Sequence, residues 1–378
     1  MATPLQTVRK TLGYSAARVL DDLIRRADRR NIPIMGPASL KTKMSRWENG
    51  HELPSEPYRR LFREVYGRTN AELGFPDERD ADPEADELRA RLATARAVDH
   101  ETVQVFLRQV NDARQVDRRF GGVTLLDQLR SHIDHVTLLL SHAAPGGTRD
   151  TLAAGLTEAS TLAGWQALDR NAVGQAWRHY ECAKTASREA GSAALLAHAT
   201  AEQALVLTDL GETAAAVEQL AHARQLIDRR TPLLLRAWLA AAHGEGLAAA
   251  GRRDDALRAF DTAAALRPVE TADPAVPYLF LGDPHLDRWR AHALARLGDT
   301  HAIDGLTEAL TRLPDSFTRA RVGLLVDLAF ALAAAGDRDA CLDRARQARR
   351  LATQIKSDRH QRRLSSLVLP GGPVAPAA

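Results

Sequence analysis

Apolar residues recur at helical spacing along nearly the whole chain. Leu5, Val8 and Leu12 share one face of a short first helix, and Val19, Leu23 and Ile24 share one face of a second. Gly13 ends the first and Ser15 caps the second, which the run Asn31-Ile-Pro33-Ile-Met-Gly36-Pro37 then breaks. That break leaves seven or eight loop residues before the next helix. Ser39 caps a third helix running from Leu40 to Asn49 and closed by Gly50, with Leu40, Met44 and Trp47 at i, i+4 and i+7 on its inner face. Further helices are expected over 58–66 and 70–75, then over 84–96, 99–118 and 122–143, the last three divided by Asp99 as an N-cap and by Gly121-Gly122.

Beyond residue 148 the pattern becomes repetitive. Helical runs end at Asn171, Gly211, Gly251, Gly298 and Gly336, spaced by 40, 40, 47 and 38 residues, and each is followed by a short polar stretch and a second amphipathic helix. One such pair cannot bury its apolar stripe alone, so the pairs are expected to stack. A non-repetitive helical bundle is the alternative. The lack of β-branched apolar runs between the helices argues against a parallel sheet.

Composition sharpens this. Ala and Leu dominate and aromatics are only 5% of the 378 residues, which favours helices over strands. No run of eighteen apolar residues predicts a membrane span, and Met1 to Lys10 lacks the apolar core of a secretory signal. Cys182 and Cys341 stand far apart, which suits a reducing cytoplasm and excludes a disulfide scaffold. The net charge of +3 hides an asymmetry: residues 1–75 hold 14 Lys and Arg against 8 Asp and Glu, while the remainder holds 37 against 40. A small basic segment on a slightly acidic body points to a polyanionic partner for the segment.

The third helix joins an apolar inner stripe to a polar, cationic outer face, a form that suits the major groove. Its end, Ser45-Arg46-Trp47-Glu48-Asn49-Gly50 with Pro54 after it, resembles the recognition helix of phage-repressor-type (Cro/Xre-like) helix-turn-helix proteins. Residues 58–66 and 70–75 then correspond to that family's fourth and fifth helices, although the family usually has a tight turn between its second and third. The resemblance implies a five-helix lambda-repressor-like domain over 1–76 that binds a double-stranded operator. Lys41, Thr42 and Arg46 match the family's base-facing positions, and Ser39, Lys43 and Asn49 its phosphate contacts. Trp47 is expected in the core, and Glu48 to tie the helix end to neighbouring backbone.

The repetitive region resembles the tetratricopeptide repeat family, its best unit carrying Gly244, Ala256, Phe260, Ala263 and Pro268 at the preferred offsets. The spacing exceeds that family's 34 residues, so the region is TPR-like. The layout of head and body is similar to regulators common in filamentous actinobacteria, and more distantly to peptide-responsive regulators of Gram-positive bacteria. The expected fold is therefore all-α: a DNA-binding domain over 1–76, a linker and helical connector over 77–147, TPR-like helical repeats over 148–357, and a disordered tail over 358–378. A cytoplasmic, nucleoid-associated transcriptional regulator, working as a homodimer without membrane contact, follows from the resemblance. A TPR-type interaction scaffold without sequence-specific DNA binding is the alternative.

Motifs for catalysis are missing: no P-loop, no Gly-x-Ser-x-Gly and no His-Glu-x-x-His occurs, and Gly244-Glu245-Gly246 lies inside a helical run. His132, Asp134, His135 and His142 form a ligand-like cluster without a visible second shell, so neither a metal nor a cofactor is expected. Aligning the helix pairs on their breakers places Glu158, Trp165, His198, Trp238, Glu245, His285, Arg288 and His292 on the concave face. Two tryptophans among mixed charges there suit a peptide or small-molecule effector.

Overall fold

The computed structural model describes residues 2–76, 83–121, 126–268, 273–279, 281, 283–314 and 317–369. Regular structure among them is entirely helical. The chain divides into two compact units, Met1–Ala90 and Arg91–Ala378. No helix among the described residues is long and apolar enough to cross a membrane.

In the first unit, α1 (Pro4–Thr11) starts at Thr3, whose hydroxyl accepts from the Gln6 amide, and α2 (Ala16–Arg30) starts at Ser15, whose hydroxyl accepts from the Arg18 amide. Asn31, left-handed at φ 56°, ends α2. The third helix, α3 (Pro37–Glu48), begins earlier than Ser39: Gly36 is its N-cap and Ser39 lies within its first turn. Proline explains the shift, because Pro37 at N1 lacks an amide hydrogen that would go unused there and its fixed φ is already helical. The connection is accordingly six residues, Asn31 to Gly36. Then follow α4 (Glu56–Tyr66) and α5 (Asn70–Leu73), the latter held by a reciprocal Thr69–Glu72 capping box. Leu5, Val19, Leu23, Leu40, Met44, Trp47, Leu61 and Phe62 form the core, with Trp47 packed 4.9 Å from the Tyr58 ring and edge-on to Phe62 at 5.8 Å.

The division between the units falls within α6 (Pro83–Arg96). In the second unit α7 (His100–Phe120), capped by Asp99, and α8 (Leu126–His142) precede five helix pairs. These are α9 (Gly147–Asp169) with α10 (Val173–Glu189), α11 (Ala193–Asp209) with α12 (Thr213–Gln225), α13 (Leu233–Ala249) with α14 (Arg253–Leu266), α15 (Asp283–Arg296) with α16 (Ala302–Arg312), and α17 (Thr318–Ala334) with α18 (Arg338–Gln354). All five breakers read from sequence, Asn171, Gly211, Gly251, Gly298 and Gly336, sit between the helices of a pair with positive φ. Within pairs the packing is close: a methyl group on Gly164 would lie 2.9 Å from the Tyr180 ring, and one on Gly244 would lie 2.9 Å from Phe260.

The first helices of successive pairs, α9, α11, α13, α15 and α17, touch one another in series and form an inner layer. The series also closes. Helix α17 packs on α7, and a final helix, α19 (Asp358–Ser365), packs on α9 and α17. Residues 358–365 are thus helical and not the start of a disordered tail. Ser357 caps α19, and Leu364 and His360 are buried beneath it. Polarity misleads here because two of the α19 arginines, Arg359 and Arg363, line the cavity described below. Residues 370–378 lie outside the described set.

Candidate functional site

Two places combine chemistry with access. The first is the outer face of α3. Leu40, Met44 and Trp47 turn inward, which leaves Ser39, Lys41, Thr42, Arg46 and Asn49 exposed and Lys43 half-buried. Asn49 caps the helix end, its amide donating to the Ser45 carbonyl at 2.8 Å. Glu48 is buried and holds a side chain as well as backbone: Arg9 Nη2 donates to Glu48 Oε2 at 2.7 Å, while Thr3 Oγ1 donates to the Glu48 carbonyl at 2.8 Å. The hydrogen bond to Glu48 raises the Arg9 pKa above its ordinary value. Thr3 and Arg9 thus hold the two ends of α1 against the end of α3.

Sequence reasoning missed Glu52. Its carboxylate accepts from Lys43 Nζ at 2.6 Å and from Arg46 Nε at 3.2 Å. The Lys43 hydrogen bond, more than Arg46, holds the Glu52 carboxyl below the usual carboxylate range. Two cations of this face are therefore tethered to one anion. A contact between residues six and nine apart across a turn carries no periodic signal in sequence.

The second place is a cavity of about 340 Å³ in the second unit. Glu158, Trp165, His198, Trp238, Glu245, His285, Arg288 and His292 all line it, supplied by α9, α11, α13 and α15. They sit thirteen, ten or six residues before a breaker. Positions nine before each breaker, Leu162, Glu202, Ala242, Trp289 and Asp327, also line the cavity, and the same alignment would have found them. The contributions of α7 (Arg114, Asp117, Arg118) and α19 (Arg359, His360, Arg363) come from outside the repeat and carry no such signal.

Aromatic rings form one wall. Trp238 and Trp289 meet edge-on at 5.8 Å, and His198 lies between Trp238 at 4.9 Å and Tyr278 at 4.5 Å. Burial drives the His198 pKa down to about 3, so this ring is neutral near pH 7, and its 3.7 Å contact with Glu202 is no ion pair. Burial also lowers His285, packed on Phe317, to about 4.

Charged side chains line the rest of the cavity. His292 bridges two carboxylates, with Nδ1 2.6 Å from Asp327 and Nε2 3.3 Å from Glu245, and Arg363 donates to Asp327 at 2.7 Å. Burial opposes the charge on His292, yet Asp327 and Glu245 raise its pKa above the ordinary histidine value. Burial likewise opposes ionisation of Asp327, but His292 and Arg363 hold it well below the usual range. Arg114 pairs with Glu158 at 3.0 Å. Arg319 reaches Asp117 at 2.9 Å and Asp169 at 3.3 Å, and Arg359 donates to Asp209 at 2.7 Å with its guanidinium 5.8 Å from the Trp165 ring centre.

Glu202 differs from these acids. Burial pushes its pKa from 4.5 up to about 7, and Glu245 adds to the rise. A carboxyl whose folded pKa exceeds its unfolded one is penalised in the folded state only once it ionises. The penalty is absent below pH 4.5, grows between 4.5 and 7, and is complete above 7. Glu202→Gln should therefore stabilise the protein by on the order of 2 kcal/mol above neutrality. Urea denaturation across pH should show that gain shrink as pH falls and vanish in acid. A gain that persists at low pH would assign it to packing instead.

Of the other groups singled out in sequence, His132 and His135 pack edge-on against Phe106 at 5.4 and 5.7 Å, and His142 Nδ1 lies 2.9 Å from the Leu138 carbonyl oxygen. Cys341 is buried and Cys182 half-buried beside Ser160. Compared with models of known protein families and with curated protein sequences, the chain finds no match.

Proposed function

We propose that the protein is a DNA-binding transcriptional regulator whose first unit holds a duplex operator and whose second unit binds a small effector. The observation that carries this is the division of α3 into a buried apolar stripe and an exposed face bearing Ser39, Lys41, Thr42, Arg46 and Asn49. A helix held by its inner face, with cations and hydroxyls outward, is built to enter a groove. In this reading α2 and α3 form a helix-turn-helix with a lengthened connection, and α9 to α18 form a TPR-like array. Lys41, Thr42 and Arg46 read base edges, while Ser39, Lys43 and Asn49 meet phosphates. One such helix offers few base contacts, so two copies of the chain act together on paired half-sites.

Selection of bound duplexes from a random pool, followed by titration of the full chain on the winner, tests the reading. Light scattering on that complex should give two chains. Arg46→Ala should cost about 1–3 kcal/mol and relax preference at one base pair, whereas Lys43→Ala should weaken all sequences alike. Glu52→Gln should act in the opposite direction. Releasing Lys43 and Arg46 from their shared anion should tighten binding and steepen the salt dependence by roughly one counterion. Failure to enrich any sequence, or indifference of binding to all three changes, would remove DNA reading from α3.

A further inference from the structure

Seven arginines and five acidic side chains line the cavity. The acids are already engaged: Glu158 by Arg114, Asp117 by Arg319, Glu245 by His292, and Asp327 by His292 and Arg363. Glu202, pushed up to about 7, is only partly ionised near neutrality and accepts from the Tyr180 hydroxyl at 3.4 Å. Arg114, Arg319, Arg359 and Arg363 hold carboxylates and Arg118 is engaged elsewhere, which leaves Arg288 and Arg296, neither within ion-pair distance of a described carboxylate. The Arg288 Nε is buried without a hydrogen-bond partner. Arg288 is half-buried, and burial lowers its pKa, the direction expected for a cation whose solvation has not been fully replaced; Arg296, exposed at the end of α15, shifts the same way.

Arg288 and Arg296 both line the cavity. Arg288, His292 and Arg296 stand at i, i+4 and i+8 on α15 and share the face that lines the cavity. Glu245 and Asp327 make their direct contacts with His292 in the middle of that face and reach the arginines on either side only through space. Beside them stand the edge-on rings of Trp238 and Trp289. A guanidinium fork recognises a planar acid in two parallel hydrogen bonds, and an indole face accepts a flat apolar body. The volume lies in the range of small-molecule sites, and α7 and α19 bound it where an open array would leave a groove.

We propose that the cavity takes a small aromatic organic acid, its acidic group held by Arg288 and Arg296 and its ring against Trp238 and Trp289. This deepens the reading of the cavity as an effector site and rests on it, but not on DNA binding. An anion supplies the direct ion-pair partner the two arginines lack, so binding should stabilise the fold by linkage. A neutral molecule of the same shape leaves that lack in place.

Thermal denaturation and tryptophan fluorescence of the full chain, titrated with naphthoate, naphthyl phosphate and the neutral isostere naphthamide, decide the matter. Naphthoate or naphthyl phosphate should raise Tm and bind at least about tenfold more tightly than naphthamide. The stronger of the two identifies the acid as carboxylate or phosphate. Arg288→Gln and Arg296→Gln should each abolish that preference without lowering the Tm of the free protein, because each deletes a cation that has no partner. Equal binding of naphthoate, naphthyl phosphate and naphthamide would overturn the acid while leaving the cavity a ligand site. Absence of binding by both acids, or an undiminished charge preference in both variants, would overturn the proposal outright.

Discussion

Replacing Arg319 by Ala is expected to destabilise the second unit by about 3–5 kcal/mol, the usual cost of breaking a buried ion pair by removing one partner. Arg319 stands in the first turn of α17, almost fully buried. It bonds Asp117 on α7 across 202 residues of sequence and lies 3.3 Å from Asp169 at the end of α9. Gln166 donates to Asp117, and Ser357 donates to Asp169 at 2.6 Å. Without the guanidinium, two buried carboxylates would face each other across a void. Burial already pushes the Asp117 pKa up even with Arg319 present, and the nearby Asp169 adds to it. In the variant this rise must grow, so the folded form would bind protons more tightly than the unfolded one. The loss should therefore be largest above neutrality and shrink as pH falls toward the carboxylate range. Urea denaturation of Arg319→Ala beside Arg319→Ala/Asp117→Asn tests this, with the double variant recovering part of the loss. A loss below about 1 kcal/mol at neutral pH would show that closure of the array does not depend on this pair.

That contact marks the limit of what sequence could reveal. The breakers were legible because a left-handed residue between two helices has few substitutes, and Asn171, Gly211, Gly251, Gly298 and Gly336 repeat at near-constant intervals. Once the pairs are aligned, the inward positions follow from helical period alone. That is why Glu158, Trp165, His198, Trp238, Glu245, His285, Arg288 and His292 meet in one cavity. The inner stripe of α3 was legible for the same reason, since Leu40, Met44 and Trp47 recur at helical spacing.

What could not be read depends on chain closure. Nothing periodic relates Asp117 to Arg319, Asp169 to Ser357, or Asp209 to Arg359, separated by 202, 188 and 150 residues. Charged side chains read as solvated unless a partner is known, so α7 and α19 looked like connector and tail. The same blindness hid Glu52, whose sequence neighbours do not announce that it folds back over Lys43 and Arg46. At Gly36-Pro37 the miss was local: a polar Ser39 outranked a glycine as a cap until the proline's geometry decided the start of α3.

Closure also depends on a residue without a side chain. Gly121 ends α7 at φ 75° and ψ 174°, a region that only glycine occupies without strain. A methyl group there would lie 2.7 Å from the backbone carbonyl oxygen of Ile355, at the end of α18. That oxygen has little room to retreat. Ile355 is buried, Lys356 after it is left-handed at φ 49°, and Ser357 is bonded to Asp169. Gly121→Ala therefore adds backbone strain of about 1–3 kcal/mol to an overpacking cost of similar size. Gly336→Ala supplies the comparison, since Gly336 has φ 84° but open space around the added methyl. It should lose only about 1–2 kcal/mol, the conformational part. Denaturation midpoints of the two variants then separate strain from collision, with Gly121→Ala the more damaging by about 1–3 kcal/mol. Equal losses would mean that the α7 and α18 backbones move apart freely, and that the array holds its closed form through the ion pairs alone.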